Sequence, residues 1–95
     1  MRELEETILA HPAVARAVAF GLPHPEKGEV PVAAVELHAG AAANEADLLN
    51  WCRSNLAAYK SPRKIWILAP GDLPQNHTGK YLRRVLREQF ASAAD

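Results

Sequence analysis

Residues 14–37 read VARAVAFGLPHPEKGEVPVAAVEL, and the fold turns on this stretch. Val14 to Phe20 is rich in small and β-branched residues. Gly21-Leu22-Pro23-His24-Pro25 then punctuates it, which predicts a strand entering a rigid, proline-bounded turn. Val30 to Leu37 sets Val and Leu among Ala, a mostly apolar strand expected at the centre of its sheet. His38-Ala39-Gly40 marks the exit loop.

On the N-terminal side, Leu4, Ile8 and Leu9 fall among acidic residues, predicting a short amphipathic helix over Glu3–Leu9 with negative charge near its start. His11-Pro12 stops it. On the C-terminal side, Asn44 can cap a helix in which Asp47 is the third helical residue, close enough to reach back to the cap. Leu48, Leu49, Cys52 and Leu56 recur at helical spacing, and this helix is expected to run to about Ala58. Tyr59-Lys60-Ser61-Pro62 breaks it. Lys64-Ile65-Trp66-Ile67-Leu68 reads as a third strand, bounded by Ala69-Pro70-Gly71-Asp72. After a polar loop from Leu73 to Gly79, Leu82, Val85, Leu86 and Phe90 share one face of an amphipathic helix over Lys80–Phe90, and residues 91–95 are expected to fray. The order α-β-β-α-β-α predicts a small α+β domain, a short three-stranded sheet packed with helices. A sheet of three strands leaves both edges exposed unless something covers them, a condition that invites pairing between chains.

Ninety-five residues make one compact domain, with no room for two cores. The apolar share of 48% suits a folded chain, but much of it is alanine, so the core is expected to be real and thin. Lys+Arg and Asp+Glu balance at 11 each. Net charge therefore gives no support to a nucleic-acid or anionic-membrane partner. The single Cys52 cannot form an internal disulfide, which fits a reducing, cytoplasmic setting. No run approaches the roughly 20 apolar residues that span a bilayer, and the acidic start is unlike a secretory signal.

Four further pieces stand in order: Glu3-Leu4-Glu5 with His11-Pro12-Ala13-Val14, Gly21-Leu22-Pro23-His24-Pro25 with Gly28-Glu29, Tyr59-Lys60-Ser61-Pro62, and Leu73-Pro74-Gln75-Asn76-His77-Thr78-Gly79-Lys80-Tyr81-Leu82-Arg83-Arg84. Together they resemble the C-terminal domain of the acyl-adenylate-forming (AMP-binding) superfamily, most of all its acyl-CoA synthetases. The likeness covers nearly the whole chain. It implies that residues 1–95 are the lid domain of a two-domain ligase whose large N-terminal adenylation domain, with its ATP site, is absent here. It also implies that the family's hinge and following β-hairpin would precede residue 1.

By that resemblance Lys80 is the catalytic lysine. Attack of a carboxylate on the α-phosphate of ATP brings two anions together, and an ammonium on a flexible stem can touch both. Such stabilisation is commonly worth about 10²–10³ in rate per donor. Gly79 permits close approach beside it, and Thr78 offers a hydroxyl. A phosphate-binding P-loop is not matched, because Pro74 stands where its first glycine belongs and Tyr81 follows the lysine. His11, His24, His38 and His77 are scattered without metal-ligand spacing, so no metal site is expected. Cys52 reads as a buried structural thiol. Glu26, Lys27 and Glu29 read as a solvated turn, and Arg83, Arg84 and Arg87 as surface residues.

The isolated chain is expected to need no cofactor and to be inactive alone. ATP, Mg2+ and CoA are implied for the complete enzyme, and a large adenylation domain is the implied partner, in cis or in trans. A lysine acyltransferase is a further partner that the family implies, since acylation would remove the Lys80 charge. The alternatives are a stand-alone binding or regulatory module and a separate subunit acting in trans. The acyl substrate and the final acceptor are not written in these residues.

Overall fold

A computed structural model describes residues 2–26, 28–57, 60–69, 73 and 79–90, of which 79–82 are described by their backbone. The elements are α1 (Arg2–Leu9), β1 (Val14–His24), β2 (Gly28–Leu37), α2 (Glu45–Asn55), β3 (Lys64–Leu68) and α3 (Gly79–Phe90). The sheet has the order β1-β2-β3, with the apolar strand in the middle as its composition predicts. β1 and β2 form an antiparallel hairpin. β3 runs parallel to β2, which requires a long crossover, and α2 supplies it.

Starts shift by one or two residues at α1, β2 and α3, and two ends differ from the sequence expectation by more. β1 does not turn at Gly21 but continues to His24, which pairs with Gly28. Pro23 is tolerated because β1 is an edge strand: the N–H of Ala19 points away from β2, so that of residue 23, four further on, would too. The reversal comes at Pro25 and Glu26, ahead of Gly28, whose φ of 78° suits a residue without a Cβ. α2 ends at Asn55, short of Ala58, because Leu56 turns extended (φ −130°, ψ 155°) and packs against the cluster between the helices and the sheet. Its start matches the expectation. Asn44 Oδ1 accepts from the Asp47 N–H at 2.9 Å, and Asp47 Oδ2 accepts from the Asn44 N–H at 3.1 Å, a reciprocal capping box.

Both faces of the sheet are covered. Val18, Phe20 and Leu22 of β1 join Val30, Val32 and Ala34 of β2 beneath Leu86 and Phe90 of α3. Trp66 stacks on Phe90 with ring centroids 4.3 Å apart, and Phe20 lies 6.1 Å from Trp66. The alternate residues Ala19, Ala33, Val35 and Ile65 face Leu4 and Ile8 of α1 and Leu48 and Cys52 of α2. This double burial is why β2 is apolar without alternation. A bulge between Val14 and Arg16 inserts Ala15 and resets the parity. Val14 thereby joins the α1/α2 side, and Arg16 comes opposite Glu36.

Each edge strand has a backbone site met by charged side chains. On β1, the Ala19 N–H donates to Glu5 Oε2 at 2.8 Å, and the Ala19 carbonyl accepts from Arg83 Nε at 3.0 Å. On β3, the Ile65 N–H donates to Glu45 Oε2 at 3.2 Å, with Lys64 Nζ 3.6 Å from the same carboxylate. Helix carboxylates thus occupy positions that a further strand would otherwise take.

Leu86 is fully buried at the centre of the α3 side. Leu86→Ala is expected to lower the unfolding free energy by about 2–5 kcal/mol, read as a reduced urea midpoint.

Burial also pushes the Cys52 thiol up from 9.0 to about 11. Below pH 9 the thiol is neutral in both folded and unfolded chains and has no effect. Between pH 9 and about 11 the unfolded thiol ionises and the native one does not, so stability falls as pH rises, by roughly 1–3 kcal/mol. Denaturation at pH 8 and pH 10.5 should show a larger alkaline loss for the native sequence than for Cys52→Ala; equal losses would contradict the buried thiol.

Candidate functional site

The segment singled out by its sequence begins at Leu73, after β3 has ended, and enters α3 at Gly79. Leu73 is fully buried within the α3-side core, and side chains of the neighbouring strands hold both of its backbone groups. Its N–H donates to Glu36 Oε2 at 2.6 Å, and its carbonyl accepts from Arg16 Nη1 at 3.1 Å. Arg16 and Glu36 are register partners across β1 and β2, 3.6 Å apart at Nη1 and Oε2.

Glu36 is only 6% exposed, the one charged residue in the described core. A carboxylate there is tolerable because a cation and a backbone donor satisfy it. Such charge-assisted hydrogen bonds are each worth about 1.5–3 kcal/mol, whereas an unpaired buried charge costs more than that.

Lys80 is the second residue of α3. Its side chain lies outside the described residues, as do Lys27, Tyr59 and the whole of 74–78, with Thr78 and His77 among them. One turn further on, Arg83 behaves differently from the solvated surface residue that its sequence context suggests. Its Nη2 lies 2.7 Å from Glu5 Oε2 while its Nε reaches the Ala19 carbonyl, so a single guanidinium ties α3 to both α1 and β1. Arg87, a turn beyond, lies 3.5 Å from Glu29 Oε2. Gly21 makes room for this, since any Cβ there would meet the Glu29 side chain. Arg84 is exposed and near Glu88.

Sequence reasoning did not find Arg16, Glu36, Glu5 or Arg83 as a set. A signal was present for the first two: each interrupts a run of apolar residues in its strand. Glu5 and Arg83, 78 residues apart, share no local signal.

The remaining candidates have structural surroundings. His11 Nδ1 accepts from the Ala13 N–H, and its ring meets Trp51 edge-on at 5.0 Å. Trp51 in turn donates from Nε1 to the Thr7 carbonyl at 2.7 Å. His24 Nδ1 accepts from the Glu26 N–H. Lys60 Nζ lies 2.9 Å from Glu3. Among the described residues no group of three or more His, Cys, Asp or Glu converges on one point, and no helix is long and apolar enough to cross a membrane. The groove between α1 and α2, lined by Glu3, Glu6, Thr7, Ala10, Trp51 and Asn55, is open to solvent.

The sequence profile of the AMP-binding enzyme C-terminal domain matches residues 3–80. An acetyl-coenzyme A synthetase of Xylella fastidiosa is 41% identical over 97 residues, covering 98% of this chain and 14% of that protein. Among solved structures, ATP-bound MatB from Rhodopseudomonas palustris superposes with a TM-score of 0.84 at 33% identity, covering 99% of this chain and 18% of that one. The o-succinylbenzoate CoA synthetase of Bacillus subtilis, in complex with its acyl-adenylate intermediate, superposes with a TM-score of 0.76 at 37% identity over 90% of this chain and 17% of that one. The chain spans 14% to 17% of the length of the curated relatives it matches. The profile match, the relatives and the shared fold agree: the chain belongs to the family of AMP-binding enzyme C-terminal domains, and it is most like those of acyl-CoA synthetases.

Proposed function

We propose that this chain is the lid of an acyl-CoA synthetase-type ligase and that Lys80 supplies the cation for carboxylate adenylation. The observation that carries the reading is the family match, which runs from residue 3 to Lys80 itself, where the Gly79-Lys80 step opens α3. In the first half-reaction a carboxylate oxygen bonds to the α-phosphorus of ATP and the bond to the bridging oxygen of the leaving pyrophosphate breaks. Negative charge builds on the phosphoryl oxygens as this happens. An ammonium close to them lowers the barrier because it is stabilised more in the transition state than before it. In the second half-reaction the thiol sulfur of CoA attacks the acyl carbonyl carbon, its proton is lost and AMP leaves. On this reading ATP and Mg2+ belong to the large adenylation domain of the complete enzyme. The lid alone has no adenylating activity on this reading.

Pyrophosphate release, measured with ATP, Mg2+ and a panel of carboxylic acids, tests it. The chain alone should release none. Fused to the adenylation domain of an acetyl-coenzyme A synthetase that has lost its own lid, it should restore release, and Lys80→Ala in that fusion should reduce the rate by about 10²–10³. An alanine variant as fast as the unsubstituted fusion would overturn the role of Lys80.

A further inference from the structure

We propose that two carboxylate–guanidinium clasps, Arg16–Glu36 and Glu5–Arg83, are positioning devices for Lys80, an inference that rests on the reading of Lys80 as the adenylation cation. The clasps grip the two flanks of the signature segment. Upstream, Glu36 and Arg16 hold the N–H and the carbonyl of Leu73 at 2.6 and 3.1 Å. Downstream, Arg83 holds α3 against Glu5 at 2.7 Å and the Ala19 carbonyl at 3.0 Å. Lys80 precedes Arg83 by three residues, about 4.5 Å along the helix axis. The helix start that carries the lysine is therefore fixed against the sheet within one turn of it.

Three features favour position over mere stability. The Arg16 and Arg83 side chains are 35% and 36% exposed, and a partly buried ion pair is a weak stabiliser. Arg16 and Glu36 occupy cross-strand partner positions within apolar runs of their strands, yet between them they satisfy both polar groups of a single loop residue. The Arg83 fork meets two acceptors on two different elements, which a lysine's point charge cannot reproduce. Both clasps also converge on β1, through Arg16 and Ala19, so the segment is referred to one rigid strand at each flank.

Hydrogen exchange and kinetics on Glu36→Gln and Arg83→Lys test the proposal, with Arg84→Lys as the control. In the 95-residue chain, amide exchange is followed at Leu73 and at residues 83–86 of α3, whose N–H groups have intrahelical acceptors, relative to the core amide of Val32. Each clasp variant is expected to speed exchange at its own flank at least about tenfold more than at Val32, since local opening is separable from global unfolding. In the fusion described above, each should lower the adenylation kcat by about tenfold or more and alter KM for ATP less than about twofold, because a misplaced group costs rate rather than binding. Arg84→Lys should change neither. Exchange that rises equally at Val32, or a kcat that stays native, would overturn the positioning role. If the unsubstituted fusion releases no pyrophosphate, the adenylation reading fails instead, and the exchange data still decide whether the clasps hold the segment locally.

Discussion

Backbone hydrogen bonding is the constraint around which this small sheet is organised. β2 has a neighbour on both sides, but β1 and β3 each present an outer row of donors and acceptors that no further strand among the described residues takes up. Buried on both faces, the sheet has little room to turn those groups toward water. Charged side chains from the helices meet them instead: Glu5 and Arg83 on β1, and Glu45 on β3. A carboxylate accepts where a strand carbonyl would, and a guanidinium donates where a strand N–H would. Because the same groups are paired with each other or with Lys64, they meet Ala19 and Ile65 without leaving an isolated charge.

The alanine content that makes the composition look thin has a place in this scheme. Ala19, Ala33 and Ala34 are fully buried in the sheet, and small side chains there let α1 and α2 on one side and α3 on the other approach closely. Bulk is then supplied from elsewhere, by the Phe20, Trp66 and Phe90 rings on the α3 side and by Leu4, Ile8 and Leu48 on the opposite side. The core remains close-packed because large and small residues face one another.

Much of this architecture was legible in the sequence. The third strand falls on Lys64–Leu68 as its β-branched and aromatic residues predict, and the Asn44/Asp47 cap follows from residue type and spacing. What was misread has a common cause, which is context from a distant part of the chain. Pro23 looks like a terminator until β1 is known to lie at an edge, where the missing N–H goes unused. Leu56 looks helical until its packing against the α1/α2 cluster is seen. Arg83 looks solvated because Glu5, its partner, lies 78 residues away. Lys80 is the opposite case. Its motif is recognisable from residue types alone, but of the residues that hold its helix in place only Arg83 belongs to that motif.

The tie between Arg83 and Ala19 also has a consequence for how the chain is made. The two residues are 64 apart in sequence, and at typical synthesis rates roughly 3–13 s separate them. During that interval β1 can pair with β2, whose residues follow it directly, but the guanidinium that closes its outer side does not yet exist. A growing chain therefore passes through a stage in which the hairpin is formed and its flank is open to any extended segment nearby. Neighbouring ribosomes on one message would hold such hairpins close together, so the order of synthesis places this domain's greatest risk of mispairing before its last helix has been made.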